Sequence, residues 1–134
     1  MSHLLDTNVC IRLINRSPGE IVERLRAHSP QSIRLSAITK AELFSGARHS
    51  RRVSENLQLV AAFCRPYQRL PFDDLCAEHC GLIRADLVSR GEHIPLMDLV
   101  IAATARAHDL TLVTHTRRDF APIVGLKLED WEGV

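Results

Sequence analysis

The sequence predicts an α/β fold, a short parallel sheet covered by helices on both faces. Three observations predict it. Short apolar segments of strand length alternate with longer segments of helical period, the pattern of successive βαβ units. The polar breaks between them ("NRSPGE", "HSPQS", "RPYQRLP", "SRGEHIP") are brief, so no linker divides the 134 residues and one domain, 1–134, is expected. The first apolar segment, "SHLLD", runs straight into a carboxylate, and parallel sheets place ligands at the carboxyl ends of their strands.

The elements follow in order. "SHLLD" is a short buried strand. "NVCIRLIN" is a helix with Val9, Ile11 and Ile14 on one face. "PGEIVERLRAH" begins with proline and an early glutamate, both signals of a helix start. "SIRLS" is a strand, "AITKAELFSGARH" a helix, and "RRVSENLQLVAAFC" a helix with Val53, Leu57 and Val60 on one face. "QRLPF" is the weakest strand. "DDLCAEHCGLIRADLVSRG" is a long helix opened by Asp73 and Asp74 and closed by Gly91. "PLMDLVIAATARAHD" is apolar nearly all round, so that helix should be well buried. "LTLVT" and "GLKLED" are strands, with "THTRRDF" a loop between them.

Bulk properties narrow the function classes. The net charge is +1, from 17 basic and 16 acidic residues, which is not the excess of a protein coated in nucleic-acid contacts. Lys40 and Lys127 are the only lysines, and the other fifteen basic residues are arginines. Aromatics make up 4%, so the core must be aliphatic. No apolar run approaches the roughly 20 residues that span a bilayer, and no secretory signal pattern opens the sequence; a cytoplasmic protein is expected. Cys10, Cys64, Cys76 and Cys80 are then expected reduced. Cys76 and Cys80 share a helix face with His79 nearby, a possible start of a zinc site. No second tight pair completes it, so buried thiols are the simpler reading.

Three acids interrupt apolar surroundings: Asp6, Glu42 and Asp98. Each has an ordinary explanation: a helix cap for Asp6, a solvated face for Glu42, helix-end stabilisation for Asp98. Together, at strand ends and helix starts, they can meet at one edge of the sheet. Clustered carboxylates raise one another's pKa unless a cation neutralises them. Ligation by oxygen alone suits Mg²⁺ or Mn²⁺. Such a cluster can activate a water for phosphodiester hydrolysis, and Asp119 offers a fourth acid.

The segments "LLDTNVCI", "SAITKAELFSGA", "PLMDLVIAATARAHDLTLVT", "RRDF" and "GLKLEDW" resemble, in order and spacing, the PIN-domain ribonucleases, and specifically the VapC-like toxins of type II toxin–antitoxin pairs. The resemblance implies a three-layer α/β/α sandwich around a short, mainly parallel sheet. It implies metal binding by Asp6, Glu42 and Asp98, with Thr114 as the hydroxyl at the end of the late strand. It further implies Mg²⁺-dependent cleavage of RNA, a homodimer, and a cognate antitoxin that blocks the acidic site within a larger complex. Two positions depart from the family pattern. Met97 stands where many relatives have asparagine, and His115 and Thr116 stand where many have asparagine or an acid; Asp119 can fill the fourth metal position if its loop curls back.

Beside this cluster, Arg48, Arg51, Arg52, Arg117 and Arg118 are candidates for a basic rim, since the acids themselves repel RNA. Asn8, Thr114 and Arg117 are the candidates for positioning substrate. Aromatics for base stacking are few, Phe63, Tyr67, Phe72 and Trp131, with Phe44 and Phe120 expected in the core. The competing reading is a catalytically silent fold of the same kind, acting only through a protein partner. Its discriminating observation is metal-dependent RNA cleavage.

Overall fold

The computed structural model describes residues 2–15 and 19–132. Among them, five strands form one sheet: β1 (His3–Leu5), β2 (Ile33–Ser36), β3 (Gln68–Leu70), β4 (Thr111–Val113) and β5 (Lys127–Glu129). The spatial order is β3-β2-β1-β4-β5 and every pairing is parallel. The register sets His3 between Ile33 and Thr111, and Leu4 between Arg34 and Leu112. From β1 the chain winds outward through β2 to β3, then returns to the other side of β1 for β4 and β5. The winding direction therefore reverses between β1 and β4, and open α/β sheets hold their ligands at that reversal.

The helices are α1 (Thr7–Ile14), α2 (Glu20–Arg26), α3 (Ala37–Arg48), α4 (Val53–Cys64), α5 (Asp74–Ser89), α6 (Leu96–Ala107) and α7 (Arg117–Phe120). Their placement follows from alternation along the strands. Leu4 and Leu112 point to one face, where they meet Ile83 and Leu87 of α5, Leu99 and Ile101 of α6, and Phe120 of α7. Leu5 and Val113 point to the other face, with Ile33 and Leu35, against Val9 of α1, Leu43 of α3 and Val60 of α4. Three layers result because both strand faces are apolar, as a parallel sheet requires. α6 buries Leu99, Ile101, Ala102, Ala103 and Ala105, matching its all-round apolar sequence.

Several details differ from the sequence-based expectations. The buried stripe of α1 is Val9, Cys10 and Leu13, while Ile11 is 41% exposed. The segment "THTRRDF", expected as a loop, contains the short helix α7, with Asp119 N–H donating to Thr116 O at 2.9 Å. Four helical residues are too few to show a period in sequence. Trp131, a candidate for base stacking, is buried, its Nε1 donating to Glu129 Oε1 at 2.8 Å and its ring stacked on His28. Pro18, expected at the start of α2, lies outside the described residues. Gly91 follows the end of α5 with φ 69°, the left-handed conformation that made glycine a stop signal there. All four cysteines are free thiols. Among the described residues, no helix is long and apolar enough to cross a membrane.

Candidate active site

Asp6 follows β1 directly, at the winding reversal. It is the N-cap of α1, and its Oδ1 accepts from Thr7 N–H at 2.8 Å. Its Oδ2 accepts from Thr114 Oγ1 at 2.9 Å. Thr114 directly follows β4 as Asp6 follows β1, so the ends of two neighbouring strands hold the two ends of this hydrogen bond. The cap and the site are thus the same carboxylate. Burial pushes the Asp6 carboxyl above its ordinary range. The Thr114 and Thr7 hydrogen bonds pull it back, the Glu42 charge raises it, and Arg12 lowers it.

Glu42 lies in the second turn of α3, the helix that Ser36 caps at the end of β2. It is half-buried, and Thr7 Oγ1 donates to its Oε1 at 2.6 Å. The same hydroxyl lies 3.0 Å from Thr39 Oγ1. A solvated face is therefore the wrong description of Glu42. Thr7 joins two acids: its backbone serves Asp6 and its side chain serves Glu42. Sequence reasoning missed Thr7 and Thr39. A threonine beside an aspartate carries no charge signal, and its burial follows only from the helix packing.

Asp98 sits in the first turn of α6, whose cap position is Pro95 and has no side-chain donor or acceptor. Its carboxyl is raised by burial first, then by the charges of Asp6, Glu42 and Asp119. Asp98 therefore feels the charge of the other three acids, and the α7 turn brings Asp119 within electrostatic reach of it. Among the described residues, none of the four forms an ion pair. Carboxylates that raise one another and offer oxygen donors only suit a hard divalent cation.

The remaining candidates divide. Thr114 is fully buried, with its hydroxyl bonded to Asp6 and 3.2 Å from Thr116 Oγ1. Asn8 is exposed one residue beyond Thr7 on α1, and Arg117 and Arg118 are exposed on α7. His115 is exposed and its Nδ1 lies 3.2 Å from Asp130 Oδ2. A cleft lined by His115, Thr116, Arg117, Arg118, Asp119 and Asp130 opens beside the acids. A largely apolar groove lined by Ile11, Ile14, Leu43, Leu59 and Val60 has Glu42 in its wall.

A five-stranded parallel sheet with an acidic cluster at its winding reversal defines a metal-binding α/β domain of the nuclease type. Residues 3–124 match the model of the PIN domain. The chain is 34% identical over 131 residues, 98% of each protein, to the tRNA(fMet)-specific endonuclease VapC of Shigella flexneri. It is 36% identical over 131 residues, again 98% of each, to the tRNA(fMet)-specific endonuclease VapC of Salmonella typhimurium. The crystal structure of VapBC2 from Rickettsia felis bound to a promoter DNA fragment superposes with a TM-score of 0.93 at 32% identity, covering 98% of this chain and 100% of that one. The chain belongs to the PIN-domain family and, within it, to the VapC ribonucleases.

Proposed function

We propose that the chain is a Mg²⁺-dependent endoribonuclease, with Mn²⁺ able to substitute, acting as the toxin of a toxin–antitoxin pair in the cytoplasm. The observation that carries this reading is that the charges of Asp6 and Glu42 act on Asp98, with raised carboxyls at Asp6 and Asp98 and, among the described residues, no ion pair to either. A bound divalent cation supplies there a water of lowered pKa and compensates the charge that develops on the phosphate.

The protein's own contribution is orientation. Thr114 and the Thr7 amide hold both oxygens of Asp6, and the Thr7 hydroxyl holds Glu42. Asp6, Glu42 and Asp98 are the metal ligands, and Asp119 is the fourth. Arg117 and Asn8 position the RNA backbone from the exposed rim. The whole chain, 1–134, acts as a single nuclease domain.

The partners follow from the same surface. A cognate antitoxin fits the largely apolar groove with Glu42 in its wall, from which a basic side chain would reach the acids. Homodimerisation is supported by Val88 and Leu96, 70% and 60% exposed, which line one cleft between α5 and α6. The relatives named above make tRNA(fMet) the first substrate to assay. Incubation of the purified protein with that RNA should give specific scission with Mg²⁺ and none with EDTA or with Asp6→Asn. If wild type with Mg²⁺ cleaves no RNA, the silent binding module is the correct reading.

A further inference from the structure

A second grouping of metal-ligating side chains lies outside the nuclease site. Asp73 caps α5, its Oδ1 accepting from Cys76 N–H at 3.0 Å. Cys76 is fully buried in the first turn of α5. His108 follows the last turn of α6, which packs antiparallel to α5, and its Nε2 lies 3.7 Å from Cys76 Sγ. One carboxylate oxygen, the sulfur and the imidazole nitrogen all lie within 4.8 Å of one another.

The 3.7 Å separation is within the range of a hydrogen bond involving sulfur, as is the 3.8 Å between Sγ and the Pro71 carbonyl. It is close to the edge of a coordination tetrahedron. Zn–S of about 2.3 Å and Zn–N of about 2.0–2.1 Å, meeting at the tetrahedral angle, place sulfur and nitrogen about 3.5 Å apart. The donors are of mixed kind, and a thiolate with an imidazole selects zinc over magnesium. The negative end of the α6 dipole favours a cation beside His108. Asp73 is exposed, which leaves solvent access for a water in the fourth position.

We propose that Asp73, Cys76 and His108 form a Zn²⁺ site that clamps the start of α5 to the end of α6. It differs from the grouping of Cys76, His79 and Cys80 that the spacing on one helix suggests. His79 Nδ1 is turned to α6 and accepts from Arg106 Nε at 3.0 Å, and the tertiary fold supplies His108 in its place. The site lies at the opposite end of α6 from Asp98. Ten residues at about 1.5 Å rise each separate them by roughly 15 Å, so zinc here does not compete with the acidic cluster. When zinc binds, the Cys76 thiol loses its proton to solvent and a zinc–sulfur bond forms, with no change of oxidation state. Affinity should therefore fall as pH falls.

The test is a titration of the metal-free full chain with Co²⁺ and then Zn²⁺. Wild type should develop a near-ultraviolet thiolate-to-cobalt absorption that saturates at one equivalent and is bleached by Zn²⁺. Cys76→Ser should abolish the band. His108→Gln, a half-exposed position that leaves folding intact, should weaken zinc binding beyond the roughly 10–100-fold that loss of an outer-shell partner costs. Asp6→Asn should keep the band, separating this site from the nuclease cluster. Absence of the band from wild type at saturating cobalt would overturn the proposal. So would a band of unchanged affinity in His108→Gln, which would assign it to another thiol such as Cys80.

Discussion

At Asp98 two electrostatic effects of opposite sign act on one carboxylate. The α6 N-terminus favours its charge by roughly 0.3–1 kcal/mol. Burial and the charges of Asp6, Glu42 and Asp119 disfavour it and push the carboxyl upward. The folded state therefore holds this proton to higher pH than the unfolded state. The penalty is absent near and below the ordinary value of 3.8 and grows as pH rises through the folded pKa. Asp98→Asn should melt higher than wild type in EDTA at neutral pH, and the gain should vanish as pH is lowered toward 4, by about the ordinary carboxyl value. The variant should also lose most of the stabilisation by Mg²⁺, which binds only the folded site. A variant that melts lower in EDTA and still responds fully to Mg²⁺ would reduce Asp98 to a helix-end charge.

Thr114 gives a second test at this scale. Its hydroxyl lowers the Asp6 carboxyl, so Thr114→Val should raise it further. Losing a hydrogen bond to a charged group should cost about 1.5–3 kcal/mol of folding stability. The discriminating readout is the pH profile of cleavage: its acid limb should move to higher pH in Thr114→Val and stay in place in Thr114→Ser. An unmoved limb would mean that Thr114 serves packing alone. The three acids were legible in the sequence because each interrupts an apolar run. The threonines that orient them were only partly so: Thr114 was legible from its place at the end of "LTLVT" and from the resemblance, and Thr7 not at all, because a hydroxyl in a helix leaves no trace until burial removes its water.

At the scale of elements, the strands are three or four residues long, yet all five were readable. Each is bounded by polar breaks, and even "QRLPF" yields Gln68–Leu70. The short helix α7 was not, because four residues carry no period. It holds Asp119 where its charge acts on Asp98 and leaves Arg117 and Arg118 exposed. If α7 forms the RNA rim, replacing both arginines with alanine should weaken binding of single-stranded RNA and flatten its salt dependence. Each lost phosphate contact should reduce the logarithmic slope by about 0.7, so up to about 1.4 for the pair. Equilibrium binding across a salt series measures this, with Asp6→Asn as background to prevent cleavage. An unchanged slope would move the RNA path to Arg51 and Arg52, which are also exposed.

Over the whole molecule, what the sequence could not show was adjacency. Alternation announced a parallel sheet, but not that the chain would reverse between β1 and β4 and so bring Asp6 to Thr114 across 108 residues. The site proposed from Asp6 before α1, Glu42 on α3 and Asp98 on α6 depends on that reversal, and it can be probed in a living cell. Expressed alone, the chain should arrest growth, because RNA cleavage without an antitoxin is unopposed. Asp6→Asn is the informative variant: its amide oxygen can still accept from Thr7 N–H and so keep the α1 cap, where asparagine serves about as well as aspartate. The fold should therefore persist while the anionic ligand is lost. Growth should recover at equal protein level, with an unchanged circular-dichroism spectrum for the purified variant. Arrest that continues undiminished in Asp6→Asn, with the protein folded, would place toxicity in a binding surface such as the apolar groove beside Glu42, and the acids would then be no more than caps and helix-end charges.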